Sequence, residues 1–306
     1  MEIVFLGTGA AWSLPEYSCR CQACTKMLEL GEERTRTSIL FRGSESVLID
    51  CSPDIRSQMW RNNVERPDLI LITHEHGDHY LGLDDLLVFR RSMPKDLWRP
   101  IPVYATEDSW GTIETRFGYL LGSLIEKRMV LPGKPFERDH MKITPFKTFH
   151  GPTAKGSVGY VLEETNQDHF KLVYTSDFMT VVDEPAILMK PDVLIIQSHW
   201  LNEPEINRPH HMSFQKAMDY INRWSPKRSY LVHISDGDQI PDDPANSFLK
   251  KYVPAKRIAH PISGKPYAIP RCQEEWQEIV NAISSDYNLP GRIIVARDGL
   301  RISFDS

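Results

Sequence analysis

Apolar positions along this chain gather in short β-rich runs, each ending near a Gly, Asp or His: Ile3 to Leu6, Ser38 to Arg42, Val47 to Ile49, Leu69 to Ile72, Ile101 to Tyr104, Lys142 to Thr144, Val158 to Glu163, Lys171 to Tyr174, Val193 to Ile196 and Tyr230 to Val232. Such runs predict strands. Between some of them the period lengthens to that of a helix. Over Ser213 to Trp224, Phe214, Ala217, Met218, Ile221 and Trp224 recur at helical spacing behind Ser213, which suits an N-cap. Strands in hairpins early, then strands alternating with helices, predict sheets covered by helices in one continuous domain over 1–306. The proline-rich stretch Pro241 to Pro290 has the weakest pattern and is read as an accessory insertion. Beyond it, Arg292 to Phe304 reads as a hairpin with Asp298-Gly299 as its turn.

Composition narrows the partners more than the fold. A formal charge of −5 over 306 residues argues against a broad nucleic-acid footprint, which needs clustered Lys and Arg. No run of 18 apolar residues is present, so no membrane span is expected. Met1 to Leu6 has no basic region before it and runs at once into a glycine turn. It reads as a first strand and not a signal peptide, which predicts a cytoplasmic protein. Three of the five cysteines, Cys19, Cys21 and Cys24, lie too close together for relaxed disulfides among themselves and point to a metal. Cys51 and Cys272 read as small hydrophobes.

The densest chemistry follows the strand Leu69 to Ile72, where His74, Glu75, His76, Gly77, Asp78 and His79 leave it in one loop. Three imidazoles and a carboxylate suit an ion such as zinc, and Gly77 is read as allowing the loop to turn tightly. One loop does not complete a two-metal site. His150, Asp177 and His233 each follow an apolar run, and together they fill a seven-ligand set.

The pattern His74-x-His76-x-Asp78-His79, with His150, Asp177 and His233 in order downstream, resembles the metallo-β-lactamase superfamily. The resemblance runs from the Gly7-Thr8-Gly9 turn to the His233 strand. It implies an α/β fold, an αββα sandwich of two mixed sheets packed face to face with helices outside. It also implies that His74, His76 and His150 hold one metal, that Asp78, His79 and His233 hold the other, and that Asp177 bridges. Gly7-Thr8-Gly9 followed by Cys19-x-Cys21-x-x-Cys24 is similar to the PhnP-type cyclic phosphodiesterases, which add a structural zinc. That branch has a histidine three residues after the last catalytic histidine as fourth zinc ligand. Here the position is Asp236, whose carboxylate is an acceptable substitute. In the same branch a histidine stands as far before the last metal histidine as His211 stands before His233. His210 has no role assigned by the resemblance.

The resemblance thus implies a metal-dependent hydrolase, a phosphodiesterase acting on small phosphodiesters, cyclic ones among the candidates, through a metal-bridging hydroxide. Two divalent ions about 3.5–4 Å apart lower the pKa of a shared water and clamp phosphoryl oxygens. Asp78 and His211 are the residues given to catalysis, His211 as the acid that assists the leaving alkoxide. Zinc or manganese fits the pair, with iron also compatible, and one structural zinc is expected. The partner is a small phosphodiester, without membrane or nucleic-acid polymer; a homodimer is left open. Iron-dependent oxidoreductases and the pyrroloquinoline quinone biosynthesis protein B share the superfamily and form the alternative. A pseudo-enzyme scaffold is disfavoured by the complete ligand set, and a nuclease similar to ribonuclease Z by the net acidity.

Overall fold

The computed structural model describes residues 1–165 and 169–304. In chain order the first half carries β1 (Glu2–Gly7), α1 (Gln22–Leu30), β2 (Ser38–Arg42), β3 (Ser46–Ile49), α2 (Ile55–Asn62), β4 (Leu69–Leu71), α3 (Gly77–Tyr80), α4 (Leu87–Ser92), β5 (Ile101–Ala105), α5 (Glu107–Phe117) and β6 (Ile125–Met129). The second carries β7 (Phe136–Arg138), β8 (Met141–Phe149), β9 (Val158–Glu164), β10 (Lys171–Tyr174), β11 (Thr180–Val181), β12 (Val193–Gln197), α6 (Phe214–Trp224), β13 (Arg228–Val232), α7 (Gln273–Asp286), β14 (Arg292–Val295) and β15 (Arg301–Ser303). One sheet has the order β15-β1-β2-β3-β4-β5-β6. The other runs β11-β8-β9-β10-β12-β13-β14, with β7 beside β8. Both are mixed.

Strand alternation builds four layers. Ile3, Phe5, Ile39, Phe41, Val47 and Ile49 face inward from the first sheet onto Leu172, Val193, Ile195 and Tyr230 of the second. Their sequence neighbours Val4, Leu6, Leu40 and Leu48 face outward, in one apolar cluster with Ile55, Met59, Trp110 and Ile113 of α2 and α5. On the far side Val173, Leu194, Ile196 and Leu231 share a cluster with residues of α1, α6 and α7. Because both faces are covered, the central strands are apolar on both sides, whereas edge strands such as β6 and β15 are largely exposed. The stretch Pro241 to Pro290 carries α7 and places Trp276, Val280 and Ile283 in that outer cluster, along with Ala245, Ile258, Ile269 and Leu289. Among the described residues no helix is long and apolar enough to cross a membrane.

The hairpin expected at Arg292 to Phe304 does not form. β14 pairs in parallel with β13, and β15 pairs antiparallel with β1, so the two strands enter different sheets. Asp298-Gly299 is still a turn, but one that carries the chain across the sandwich. The Asp298 carboxylate accepts from Thr35 N at 2.7 Å and from Thr8 Oγ1 at 2.7 Å, and Gly299, at φ +77°, donates its N–H to Phe5 O. A local turn signal does not reveal which edge each arm will join, and here each arm finds a separate open edge.

Helix α6 follows its sequence pattern. Ser213 Oγ accepts from Lys216 N at 3.2 Å and donates to Glu203 Oε2 at 2.6 Å, fixing the chain entry just after His211. Loss of an N-cap side chain costs about 1 kcal/mol, up to about 2. Ser213→Ala is therefore expected to lower stability by about that amount in chemical denaturation, and an unchanged midpoint would show that the cap contributes nothing.

Candidate metal centre

The site forms where strands end. His74 lies beyond β4, His150 follows β8, Asp177 lies beyond β10, and His233 follows β13. β3, β4 and β5 run parallel, as do β10, β12 and β13, so their carboxyl ends open on one rim of the sandwich. Ligand sites in parallel sheets favour that rim. Asp50, Ser176, His210 and His233 have φ near +60°, a left-handed conformation costly for side-chain-bearing residues. Such strain persists where the surroundings over-determine it. Gly77 differs from its expected use. Its φ is not among the positive ones, and it opens the one-turn α3, where an added Cβ would lie 2.9 Å from Leu81 Cδ1.

His74, His76 and His150 converge, with His150 Nε2 3.2 Å from His76 Nδ1. The opposite ring nitrogens are tethered. His74 Nδ1 is 3.0 Å from Thr73 Oγ1, His76 Nε2 is 3.1 Å from Thr153 Oγ1, and His150 Nδ1 is 2.9 Å from the carbonyl of His210. These contacts aim His74 Nε2, His76 Nδ1 and His150 Nε2 at one point. Glu75 faces away from it. Its carboxylate accepts from Ser109 Oγ and Gly156 N, which pins the loop to the start of α5.

A second group comprises Asp78, His79, Asp177 and His233. His79 Nε2 is 3.1 Å from Asp78 Oδ2 and 3.5 Å from Asp177 Oδ2, and His233 Nε2 is 2.9 Å from Asp177 Oδ2. The same Asp177 oxygen is 3.9 Å from His150 Nε2, so it stands between the two groups. His79 is oriented by buried Asp50, 2.8 Å from its Nδ1. Charges follow this division. Burial disfavours protonation of His79, yet Asp78, Asp50 and Asp177 hold its pKa well above the usual histidine value. Burial also opposes charge on His233, and Asp177 and Asp78 raise it to about 9. His150 is pushed down to about 4, mainly by burial.

The buried ring atoms His74 Nε2, His79 Nε2 and His233 Nε2 make no aligned hydrogen bond, the last two meeting only the carboxylates of Asp78 and Asp177. Orphaned buried nitrogens are costly, and three aimed at two adjoining points suit metal ligation. The residues therefore fit two divalent ions. His211 stands beside them, its Nδ1 3.6 Å from Asp177 Oδ2 and 2.7 Å from Gln197 Nε2. Gln197 Oε1 accepts from Phe178 N and Met212 N, which fixes the amide orientation and directs its N–H at His211. The structure also brings in His199, which sequence patterning missed. Its ring stacks on His211 at 4.1 Å and 8°, and its Nδ1 is 3.3 Å from His233 Nδ1, the same ring nitrogen that Gln197 Nε2 faces at 3.1 Å.

Cys19, Cys21, Cys24 and Asp236 form a separate buried cluster at the start of α1, their ligand atoms within 4.8 Å of one another. Each sulfur receives a backbone N–H at 3.4 Å: Cys19 from Cys21, Cys21 from Cys24, and Cys24 from Glu16. Such N–H donors favour the thiolate, the form that binds zinc, while the neighbouring Cys21, burial and Asp236 push the Cys24 thiol well above its usual pKa. Cys51 and Cys272 are buried outside this cluster.

A four-layer αββα sandwich with histidines and aspartates at the strand ends defines the class of metallo-β-lactamase-fold proteins. The profile of the β-lactamase superfamily domain matches residues 45–234. The chain belongs to this superfamily, whose members are generally metal-dependent hydrolases. It is 29% identical to an octanoyltransferase of Porphyromonas gingivalis over 77% of its own length and 46% of that protein's, so it spans about half of that relative. Among solved structures, a diphosphatase of the PhnP family superposes with a TM-score of 0.69 at 24% identity, covering 99% of this chain and 98% of that one. Zinc-bound PqqB from Methylobacterium extorquens gives 0.71 at 19% identity, covering 99% and 100%.

Proposed function

We propose that the chain is a dinuclear metal-dependent phosphodiesterase for small, including cyclic, phosphodiesters. His74, His76 and His150 hold one ion, Asp78, His79 and His233 the other, and Asp177 bridges them. Cys19, Cys21, Cys24 and Asp236 hold a structural zinc. The observation that carries this reading is the place of Asp177 Oδ2, 2.9 Å from His233 Nε2 and 3.9 Å from His150 Nε2, within reach of both groups. When bound, two divalent ions supply an acidified water and positive charge for phosphoryl oxygens. Asp50, Thr73 and the His210 carbonyl keep the ligand nitrogens aimed. His211, beside Asp177, supplies a ring N–H to the phosphoryl or leaving oxygen. The whole chain acts as one domain in the cytoplasm.

Metal analysis coupled to a substrate panel tests this. Protein purified without chelator is expected to carry about three ions per chain, two catalytic and one structural. It should hydrolyse cyclic or linear phosphodiesters and stop after exhaustive chelation. Near-zero metal with retained activity would end the reading. Turnover confined to octanoyl-group substrates would move the site to acyl chemistry, and iron with redox turnover would favour the oxidoreductase alternative.

A further inference from the structure

Lys250 reaches into the cysteine cluster from a loop far along the chain. Its Nζ lies 2.5 Å from Asp236 Oδ2, 3.0 Å from Cys19 Sγ and 2.9 Å from Glu16 Oε2. The same Asp236 oxygen is 3.0 Å from Cys21 Sγ and 3.2 Å from Cys24 Sγ. The loop is fastened to the knuckle independently, since Asp243 accepts from Gln22 N at 3.0 Å at the head of α1. An ammonium thus touches one sulfur and the one oxygen of a four-donor cluster.

Charge explains why it is there. Three thiolates and a carboxylate around a zinc ion leave about two net negative charges in a buried cluster, one more than three thiolates and a neutral imidazole would leave. Glu16 adds another negative group at the edge. Uncompensated buried charge is costly, and a hydrogen-bonded cation beside it offsets that cost. We infer that Lys250 is the counter-ion of the structural zinc site, and that Asp236 and Lys250 act as a matched pair doing the work of one neutral ligand. The lysine binds no metal itself; it holds the carboxylate and the Cys19 sulfur in place for the ion. This rests on the structural-zinc reading above.

The test uses the full chain as purified and follows zinc release to a chromophoric chelator, with the thermal midpoint as a second readout. Lys250→Met keeps the chain length and removes the charge. Outer-sphere partners typically contribute about 10–100-fold to metal affinity, so release of one zinc should quicken by about that factor. Lys250→Arg should restore slow release. In an Asp236→His background, where the fourth ligand is neutral, Lys250→Met should change release less than about twofold. An equal effect of Lys250→Met in both backgrounds, or none in the native one, overturns the pairing. If Asp236→His fails to fold, the Met and Arg variants decide alone, and equally fast release from both overturns it. A native chain holding only two ions removes the structural zinc and the pairing together, whereas three ions with no response to Lys250→Met removes the pairing alone.

Discussion

Asp177→Asn is expected to strip one active-site ion and to lower turnover by more than about 100-fold, above the range typical of outer-sphere partners. The amide keeps the shape of the carboxylate and loses its charge. Asp177 is buried and within 3.5 Å of both His79 and His233, so no solvent replaces that charge. Two unit charges about 4 Å apart repel by about 4 kcal/mol at an effective dielectric of about 20, and doubly charged ions by more. Removing the anion between them leaves that repulsion unscreened. Metal analysis and turnover of the same preparation check this. The knuckle zinc should stay, and two retained active-site ions with unchanged turnover would contradict the bridging role.

His211→Ala is expected to reduce turnover by about 10²–10³-fold without displacing either ion, the range for loss of one positioned donor. The structure changes how this loss should depend on substrate. Burial, together with His199, holds the His211 pKa well below the ordinary histidine value. A lowered pKa leaves the ring neutral at pH 7, with protonation gained only as pH falls through the lowered value. Gln197 Nε2 donates to Nδ1, so the ring proton resides on Nε2. A neutral Nε2–H stabilises developing negative charge rather than delivering a free proton. Alkoxide and nitrophenolate esters should therefore suffer about equally, and the pH-rate profile should keep its alkaline limb. A loss confined to the alkoxide substrate would restore His211 as a general acid, and no loss at all would leave it part of the helix entry.

Most strands and the helix over Phe214–Trp224 were legible because burial on two faces forces apolar runs, and runs end where the chain leaves the sheet. His74, His150, Asp177 and His233 are legible for the same reason, each standing past such an end, while Asp78 and His79 follow on the one-turn α3. Asp50 and His199 obey that rule too, past β3 and β12. A single polar residue after a strand is not distinctive by itself, and the family pattern that marks His150, Asp177 and His233 assigns no place to these two. Lys250 was illegible in principle. Its partner Asp236 is 14 residues away across an irregular loop, and only the fold brings the charges together. The hairpin expected at Arg292 to Phe304 failed for a related reason, since β15 pairs with β1 from the opposite end of the chain.

His233 of the active site and Asp236 of the cysteine knuckle stand three residues apart, and this short stretch is pinned to the first turn by the bridge between Gly9 and Ile234. A segment that donated a ligand in each direction, as proposed, would make the two sites thermodynamic partners. Whatever free energy an ion at the cysteines contributed to ordering this stretch would also raise the affinity at His233, and by reciprocity an ion at His233 would return the same coupling to the cysteines. Zinc supply to the cysteines would then shift the affinity with which the proposed ions fill the histidine and aspartate cluster.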